Sequence, residues 1–475
     1  MEYISNEKDK APYFRLWLIF FLYTVVVAVL VQMVLLPHVF PAWHGGNGLL
    51  VGGDWLTFHQ IAVDLAEEIK TTGWSAWDLR PQGQAPAGIA AAIYALTVPQ
   101  PWTTIPLNAI LHASAALVLL CIVEVFITNR KYALFCVLPF LLFPSAMTWY
   151  TQLHKDGFFI LGCLCFLYGL IKLACLSTWE SRAWEQIKAL GFVFLGAVLV
   201  WIVRPYGVQL LQYMTLAISL LMTIMLIIKA HNKRISIPKA TLIATLFWLI
   251  IVLLVPLTRG GIQVEIPQVT QEIPKEIPKE IPKEILKEIP KEIPKEIPKG
   301  WLGVLNYPFQ VLDSMGAALG MVRDGFRYGY PDAASNIDCD KGLYSIKDIV
   351  CYLPRALEIA FLSPFPDQWF AEGSLSGNTA MRRVSALEMV IIYMTMVFLP
   401  YFIWYSRKRI ETWIILIFCI GMMLCFTLVI PNVGSLYRTR YGFLMTLVAL
   451  GMGGFFSLLQ KKGVILVEPA KKGHN

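Results

Sequence analysis

Charged side chains are scarce in this chain. Asp, Glu, Lys and Arg make up 15% of its 475 residues and hydrophobic residues 57%, a balance that excludes one soluble fold and points to a polytopic membrane protein. Inside the long apolar runs charge is scarcer still, with Glu124 and Lys172 near run ends. A charge at the bilayer centre costs about 2.5–3.5 kcal/mol, so ion-coupled transporters keep a few there for a purpose. Their near absence here argues against proton or sodium coupling. A Walker A motif is lacking, and the loops on the basic side are too short for a nucleotide-binding domain. The glycines of "HGGNGLLVGG" have neither a preceding strand nor a following Lys-Ser/Thr, so they read as a flexible loop and not as a phosphate cradle.

Apolar sequence fills the space that charge leaves. Runs near residues 16–36, 104–127, 133–150, 158–176, 189–203, 208–228, 240–257, 386–405, 412–430 and 441–459 approach the roughly 20 residues that span a bilayer as a helix. The expected fold is all-α and integral to a membrane, with about ten transmembrane helices and interfacial helices in the external loops. The first run follows Lys8, Lys10 and Arg15 without a small-residue cleavage site behind it, so it reads as a retained anchor with the chain's start in the cytoplasm. In alternation from there, the cytoplasmic loops carry Arg130 and Lys131, then Arg182 and Lys188, then Lys229, Lys233, Arg234 and Lys239, then Arg407, Lys408 and Arg409, and last Lys461 and Lys462. That pattern is the positive-inside rule with both termini cytoplasmic. The formal net charge of +8 then reflects topology and not a nucleic-acid partner.

Four parts follow: an N-terminal transmembrane module at 1–257 with an external loop at 37–103, an external spacer at 258–300, an external loop domain at 301–385, and C-terminal transmembrane helices at 386–475. Seven of the nine cysteines lie in apolar spans and read as small hydrophobes. Cys339 and Cys351 lie in the external loop domain, where an oxidising compartment permits a disulfide between them.

Polar chemistry collects on the external side. "DWLTFHQIAVDLAEEI" places Phe58, Ile61, Leu65 and Ile69 at helical spacing, the pattern of an amphipathic helix lying on the outer membrane surface. Asp54 stands just before it, as an N-cap or as a carboxylate facing the membrane boundary. His59 and Asp64 fall on the solvated face; His59 near Asp54 leaves a divalent ion open without making a metal site. The external turns "TQLHKDG", "RPYG" and "PNVGSLYRTR" carry His154, Lys155, Asp156, Arg204, Arg438 and Arg440. Single cations at helix ends snorkel to headgroups, but positive charge in three external turns runs against the general bias and points to a shared anionic ligand. Beyond the spacer, "YLPRALEIAFLSPFP" reads as an interfacial helix broken by Pro364 and Pro366. Aromatics there interleave with Arg323, Arg327, Asp332, Asp338 and Asp367, a mixture suited equally to sugars and to the membrane interface.

A first helix, an external loop with an acid near its start, amphipathic helices and then further spans, with "NAILHASAALVLL" at Asn108 and "LFPSAMTWYTQLHKDGF" after it, make residues 10–230 resemble the GT-C-type glycosyltransferases. Those membrane enzymes use polyprenyl-phosphate-linked sugars. The resemblance implies transfer of a sugar from such a donor to a glycan or lipid-linked acceptor, on the periplasmic face of a bacterial inner membrane, in surface polysaccharide or glycoconjugate assembly. It makes Asp54 the catalytic base, a carboxylate taking the acceptor's proton as the bond to the sugar forms, with Asp156 ranked second as a catalytic acid, or else pairing with Lys155 or capping the next helix. His154, Lys155, Arg204, Arg438 and Arg440 bind the donor phosphate, and His59, Arg80, Tyr206 and Tyr437 contact substrate. The lipid-linked sugar and membrane lipids are the partners; no other cofactor is certain, and a divalent metal stays open. Two alternatives remain, a Wzy-type polysaccharide polymerase with Arg204, Arg438 and Arg440 at the pyrophosphate, and a flippase or transporter gated by the external charges.

The most regular segment is "EIPKEIPKEIPKEILKEIPKEIPKEIPK" at 272–299. Proline at every fourth residue removes helix donors and holds its neighbours extended, so a polyproline-like rod of up to roughly 85 Å is expected. Identical units cannot supply a differentiated site, and the repeat reads as a solvated spacer.

Overall fold

The computed structural model describes residues 10–175, 183–232, 236–258, 316–329, 331, 333–374 and 376–461. The repeat at 272–299 lies outside the described residues. In chain order the elements are α1 (Lys10–Leu30, continued by a π-helical stretch Val31–Val39), β1 (His44–Gly46), β2 (Leu49–Leu50), α2 (Asp54–Thr72), α3 (Ala85–Leu96), α4 (Ile105–Glu124), α5 (Arg130–Leu142), α6 (Pro144–Tyr150), α7 (Asp156–Cys175), α8 (Ala183–Val203), α9 (Pro205–His231) and α10 (Ile237–Thr258). After the spacer come α11 (316–329), α12 (Ile346–Leu362), α13 (Ser376–Met396), α14 (Leu399–Ser406), α15 (Ile410–Val429) and α16 (Val433–Lys461).

Among the described residues, nine helices are long and apolar enough to cross a bilayer: α1 through Val39, α4, α7, α8, α9, α10, α13 together with α14, α15 and α16. The chain is a helical multi-pass membrane protein. The tenth run, expected as one helix at 133–150, is broken. Pro144 forces Phe143 into extended backbone (φ −62, ψ 121), so α5 ends and α6 starts on the proline. The hydroxyl of Tyr441 donates to Phe140 O at 3.0 Å, near the end that the break leaves on α5.

The described residues fall into two compact units. The first holds everything up to 258 together with 376–422 and 441–461; the second holds 316–374 and 423–440, so a stretch expected in the C-terminal helices belongs with the loop domain. In the first unit α7 lies along α8, and a Cβ on Gly162 would sit 2.9 Å from Gly196 O, which is why small residues occupy the crossing. α2 and α3 form a separate layer. Trp55, Phe58, Ile61, Leu65 and Ile69 of α2 close on Ala87, Ala90, Ala91 and Tyr94 of α3, one apolar cluster that also takes in Leu153. The glycine-rich loop before α2 is a hairpin, β1 pairing with β2 antiparallel. Asn47 (φ 52) and Gly48 (φ 77) form its turn, and an Asn-Gly pair suits the positive φ demanded at both central positions.

In the second unit, Ser345 and Asp348 make a capping box at the start of α12, which runs to Leu362 and stops before Pro364. Buried Arg323 of α11 donates to Asp338 O at 2.9 Å and to Leu428 O at 3.1 Å. Asp338 accepts from Tyr352 at 3.1 Å and from Arg355 Nε at 3.0 Å; the bonds that Arg355 donates to Asp338 and to Glu358 raise its pKa. The expected disulfide is absent: Cys339 and Cys351 are both free thiols. Cys351 is exposed on α12, whereas the Cys339 thiol donates to Pro431 O at 3.7 Å.

Candidate functional site

The turn at 151–155 between α6 and α7 is fastened from several sides by hydrogen bonds to its backbone and to Gln152. Gln32 Nε2 of α1's continuation donates to Thr151 O, and Asn108 Nδ2 of α4 donates to Gln152 O at 2.9 Å. The Gln152 side chain meets the hairpin twice, accepting from Leu50 N at 3.1 Å and donating to Gly48 O at 3.3 Å. Leu153 enters the α2–α3 cluster. Buried polar atoms in a turn need partners, and here those partners fix where His154, Lys155 and Asp156 stand.

Those residues build a buried ionic row. Asp156 opens α7 and is 2% exposed; its Oδ1 accepts from Arg204 NH2 at 2.8 Å, and its Oδ2 lies 3.0 Å from His154 Nδ1. The Asp156 backbone N–H also donates to Nδ1, at 3.2 Å. Arg204 stands between α8 and α9, with Pro205 at the first position of α9, and its guanidinium lies 4.7 Å from the Phe159 ring centre. A buried guanidinium is tolerable here because a carboxylate and an aromatic face receive it. Lys155 Nζ lies 5.7 Å from the centre of the Phe58 ring of α2.

Asp54 comes to the same place through its neighbour. Gly53 is the N-cap of α2, so Asp54 is its first helical residue and is exposed, which removes the N-cap reading of Asp54. The indole of Trp55 folds back over Gly53, where a Cβ would lie 2.0 Å from the ring, so only glycine fits. That indole donates to Leu50 O at 2.5 Å, and its ring centre is 6.0 Å from that of His154. A crevice lined by Ile89 and Ala90 of α3, Thr104, Asn108 of α4, Phe158 and His154 opens beside it. Its walls are apolar, with a few convergent polar groups.

The other expected site residues serve different ends. Arg80 donates to Trp201 O at 2.6 Å and Ile202 O at 3.0 Å, stacking 4.2 Å over Trp201; it closes the end of α8 that carries Arg204. His59 has Tyr94 Oη 3.0 Å from Nδ1 and Asn47 Nδ2 3.2 Å from Nε2, and burial against α3 pushes its pKa down. It is therefore tied to the hairpin and α3 instead of facing solvent. Tyr206 is exposed in the first turn of α9. Tyr437, Arg438 and Arg440 belong to the second unit. Arg440 is fully buried, donating to Ile359 O and Ala360 O at 2.6 Å each and to Ser363 Oγ at 3.0 Å. It caps α12, and its guanidinium lies 5.5 Å from the Tyr437 ring centre. Among the described residues, no group of three or more His, Cys, Asp and Glu is placed to hold a metal.

Gln152, Trp55 and Glu388 are not singled out by the sequence. Glu388 is 2% exposed, accepting from Ser145 N at 2.8 Å and Ser145 Oγ at 2.5 Å. The span begins at Thr379, well before the run expected from 386, so this acid lies about 14 Å along the helix axis from the span's start. No protein-family profile matches the chain, and neither a curated protein nor a solved structure matches it.

Proposed function

We propose that the protein is a membrane glycosyltransferase that moves a sugar from a polyprenyl-phosphate donor to a hydroxyl acceptor on the external face of the membrane. One observation carries this reading. The head of α2, with exposed Asp54, and the buried His154–Asp156–Arg204 row, 100 residues apart in the chain, meet through the Trp55–His154 contact, and His154 of that row lines the crevice. A carboxylate open to solvent beside a cluster containing two cationic side chains, under a layer of interfacial helices, has what such a transfer needs. The acceptor's proton goes to Asp54, and the departing phosphate meets His154 and Lys155, with Arg204 behind them on Asp156. Topology supports the same side for all of them. With both termini cytoplasmic, the ends of α1, α4, α7 and α8 that carry these groups are external. The α5–α6 pair then crosses as a broken span, its 21 residues from Arg130 to Tyr150 reaching roughly 30 Å.

The test is Asp54→Asn in the purified full chain, with transfer assayed from undecaprenyl-phosphate hexoses. Loss of about 10²–10⁴-fold in turnover at unchanged thermal stability is expected for a missing base. Full activity in that variant removes Asp54 from the mechanism.

A further inference from the structure

We infer that His154 is a catalytic acid, passing a proton to the lipid phosphate as it departs, with Asp156 as the positioning residue behind it and Arg204 fixing Asp156. This rests on the glycosyl-transfer reading above and deepens it.

The geometry is that of a ring held by one edge. Asp156 sets both its backbone N–H, at 3.2 Å, and its carboxylate Oδ2, at 3.0 Å, against His154 Nδ1. The neutral ring accepts the N–H there, and the charged ring donates from Nδ1 to the carboxylate instead, so the imidazole keeps one orientation in both states. Nε2 is then carried on the far edge of the ring, in a residue that lines the crevice. The opposite oxygen of the same carboxylate is held by Arg204 at 2.8 Å, and all three residues are more than nine-tenths buried. A proton donor oriented by a second group, itself held by a third, is the arrangement of a working acid or base. Histidine is the side chain whose charge changes in the physiological range. Arg204 would otherwise be taken for the phosphate ligand, but its bond to Asp156 makes it the anchor of the row.

The step balances. The bond between C1 of the sugar and the phosphate oxygen breaks, and its electron pair stays on that oxygen, which takes the Nε2 proton. The acceptor oxygen forms the new bond to C1, and its proton passes to Asp54. The lipid phosphate leaves as a monoanion, His154 ends neutral and Asp54 protonated, and water returns both to their starting forms. The other titratable groups on the surrounding elements are Lys155 in the same turn, Asp54 at the head of α2, Tyr94 on α3, His112 on α4 and Tyr150 at the end of α6.

The experiment uses the full chain in lipid nanodiscs with two probes. The first is undecaprenyl phosphate, for binding, with inorganic phosphate as competitor; the second is a set of undecaprenyl-phosphate hexoses, for sugar release. His154→Gln keeps a polar amide but cannot pass on a proton. It is expected to bind undecaprenyl phosphate within about threefold of wild type while turnover falls about 100-fold. Asp156→Asn and Asp156→Glu, two variants in case one misfolds, lower turnover about tenfold without weakening binding, a split between kcat and KM that a merely structural role would not give. Turnover of His154→Gln within threefold of wild type overturns the inference and leaves the glycosyl-transfer reading standing. Loss of binding in step with turnover also overturns it, reducing His154 to a ligand. Displacement by inorganic phosphate alone marks a free-phosphate site, and a wild type that releases no sugar from any donor sinks the glycosyl-transfer reading and this inference together.

Discussion

Two buried arginines in this chain have opposite surroundings. Arg204, in the first unit, sets its guanidinium against the carboxylate of Asp156. Arg440, in the second, sets its own against Ile359 O, Ala360 O and Ser363, at the end of α12. Backbone carbonyls do not titrate or move without unwinding the helix that bears them, so Arg440 is a fastening. A carboxylate can be shared, and Asp156 is shared with His154. Both arginines fall in stretches that read as external turns, although Arg440 lies inside α16, and the nature of the partner is what separates them.

The largest effect should come from breaking the fastening. Arg440→Ala leaves the last carbonyls of α12 buried without their donor, and removal of several charge-assisted bonds is expected to cost about 4 kcal/mol of unfolding free energy. Denaturation in detergent measures it; a loss below about 1 kcal/mol would mean that α12 holds its end without Arg440. Next comes Arg204→Lys, which keeps the charge but loses the planar fork. Turnover is expected to fall about tenfold to thirtyfold with little change in stability; an equal loss of stability at both arginines would erase the contrast between them.

A smaller effect, in the second unit, is a pH dependence. Burial and then its bond to Asp324 push Tyr344 up to about 12, and burial opposed by Arg323 but aided by Asp338 pushes Tyr352 up to about 12. Raised tyrosines favour the neutral hydroxyl in the fold, so their stabilisation is complete below the ordinary tyrosine range and is lost as pH rises from about 10 to about 12. Unfolding midpoints of wild type and of the Tyr344→Phe, Tyr352→Phe double variant should converge across that window. A constant gap would remove the assignment. The smallest effect is expected from the repeat: deleting several EIPK tetrads should leave folding and sugar transfer within about twofold of wild type, since identical units supply no differentiated site.

The spans were legible because twenty apolar residues leave few alternatives to a buried helix, and the amphipathic face of α2 was legible from Phe58, Ile61, Leu65 and Ile69 for the same reason. Residues 133–150 misled because apolarity masks a break that only Phe143-Pro144 announces. Of the site, the turn holding His154, Lys155 and Asp156 stood out because its charges interrupt an apolar chain. What it was for did not, because ion pairing between Asp156 and Arg204 joins residues 48 apart and leaves no local pattern. The partners of Arg440 at the end of α12 were equally hidden, because they lie about 80 residues away in the chain. The "HGGNGLLVGG" stretch hid a hairpin that its Asn-Gly pair could have announced.

Gln152 is where two levels of the molecule are stapled. One amide holds the hairpin through Leu50 and Gly48, and the same residue's carbonyl holds α4 through Asn108. The hairpin and α4 are therefore pinned by one residue two places before the histidine, and a Gln152→Glu exchange, which keeps the acceptor for Leu50 N–H but deletes the donor to Gly48 O, unpicks one of those stitches by changing a single atom.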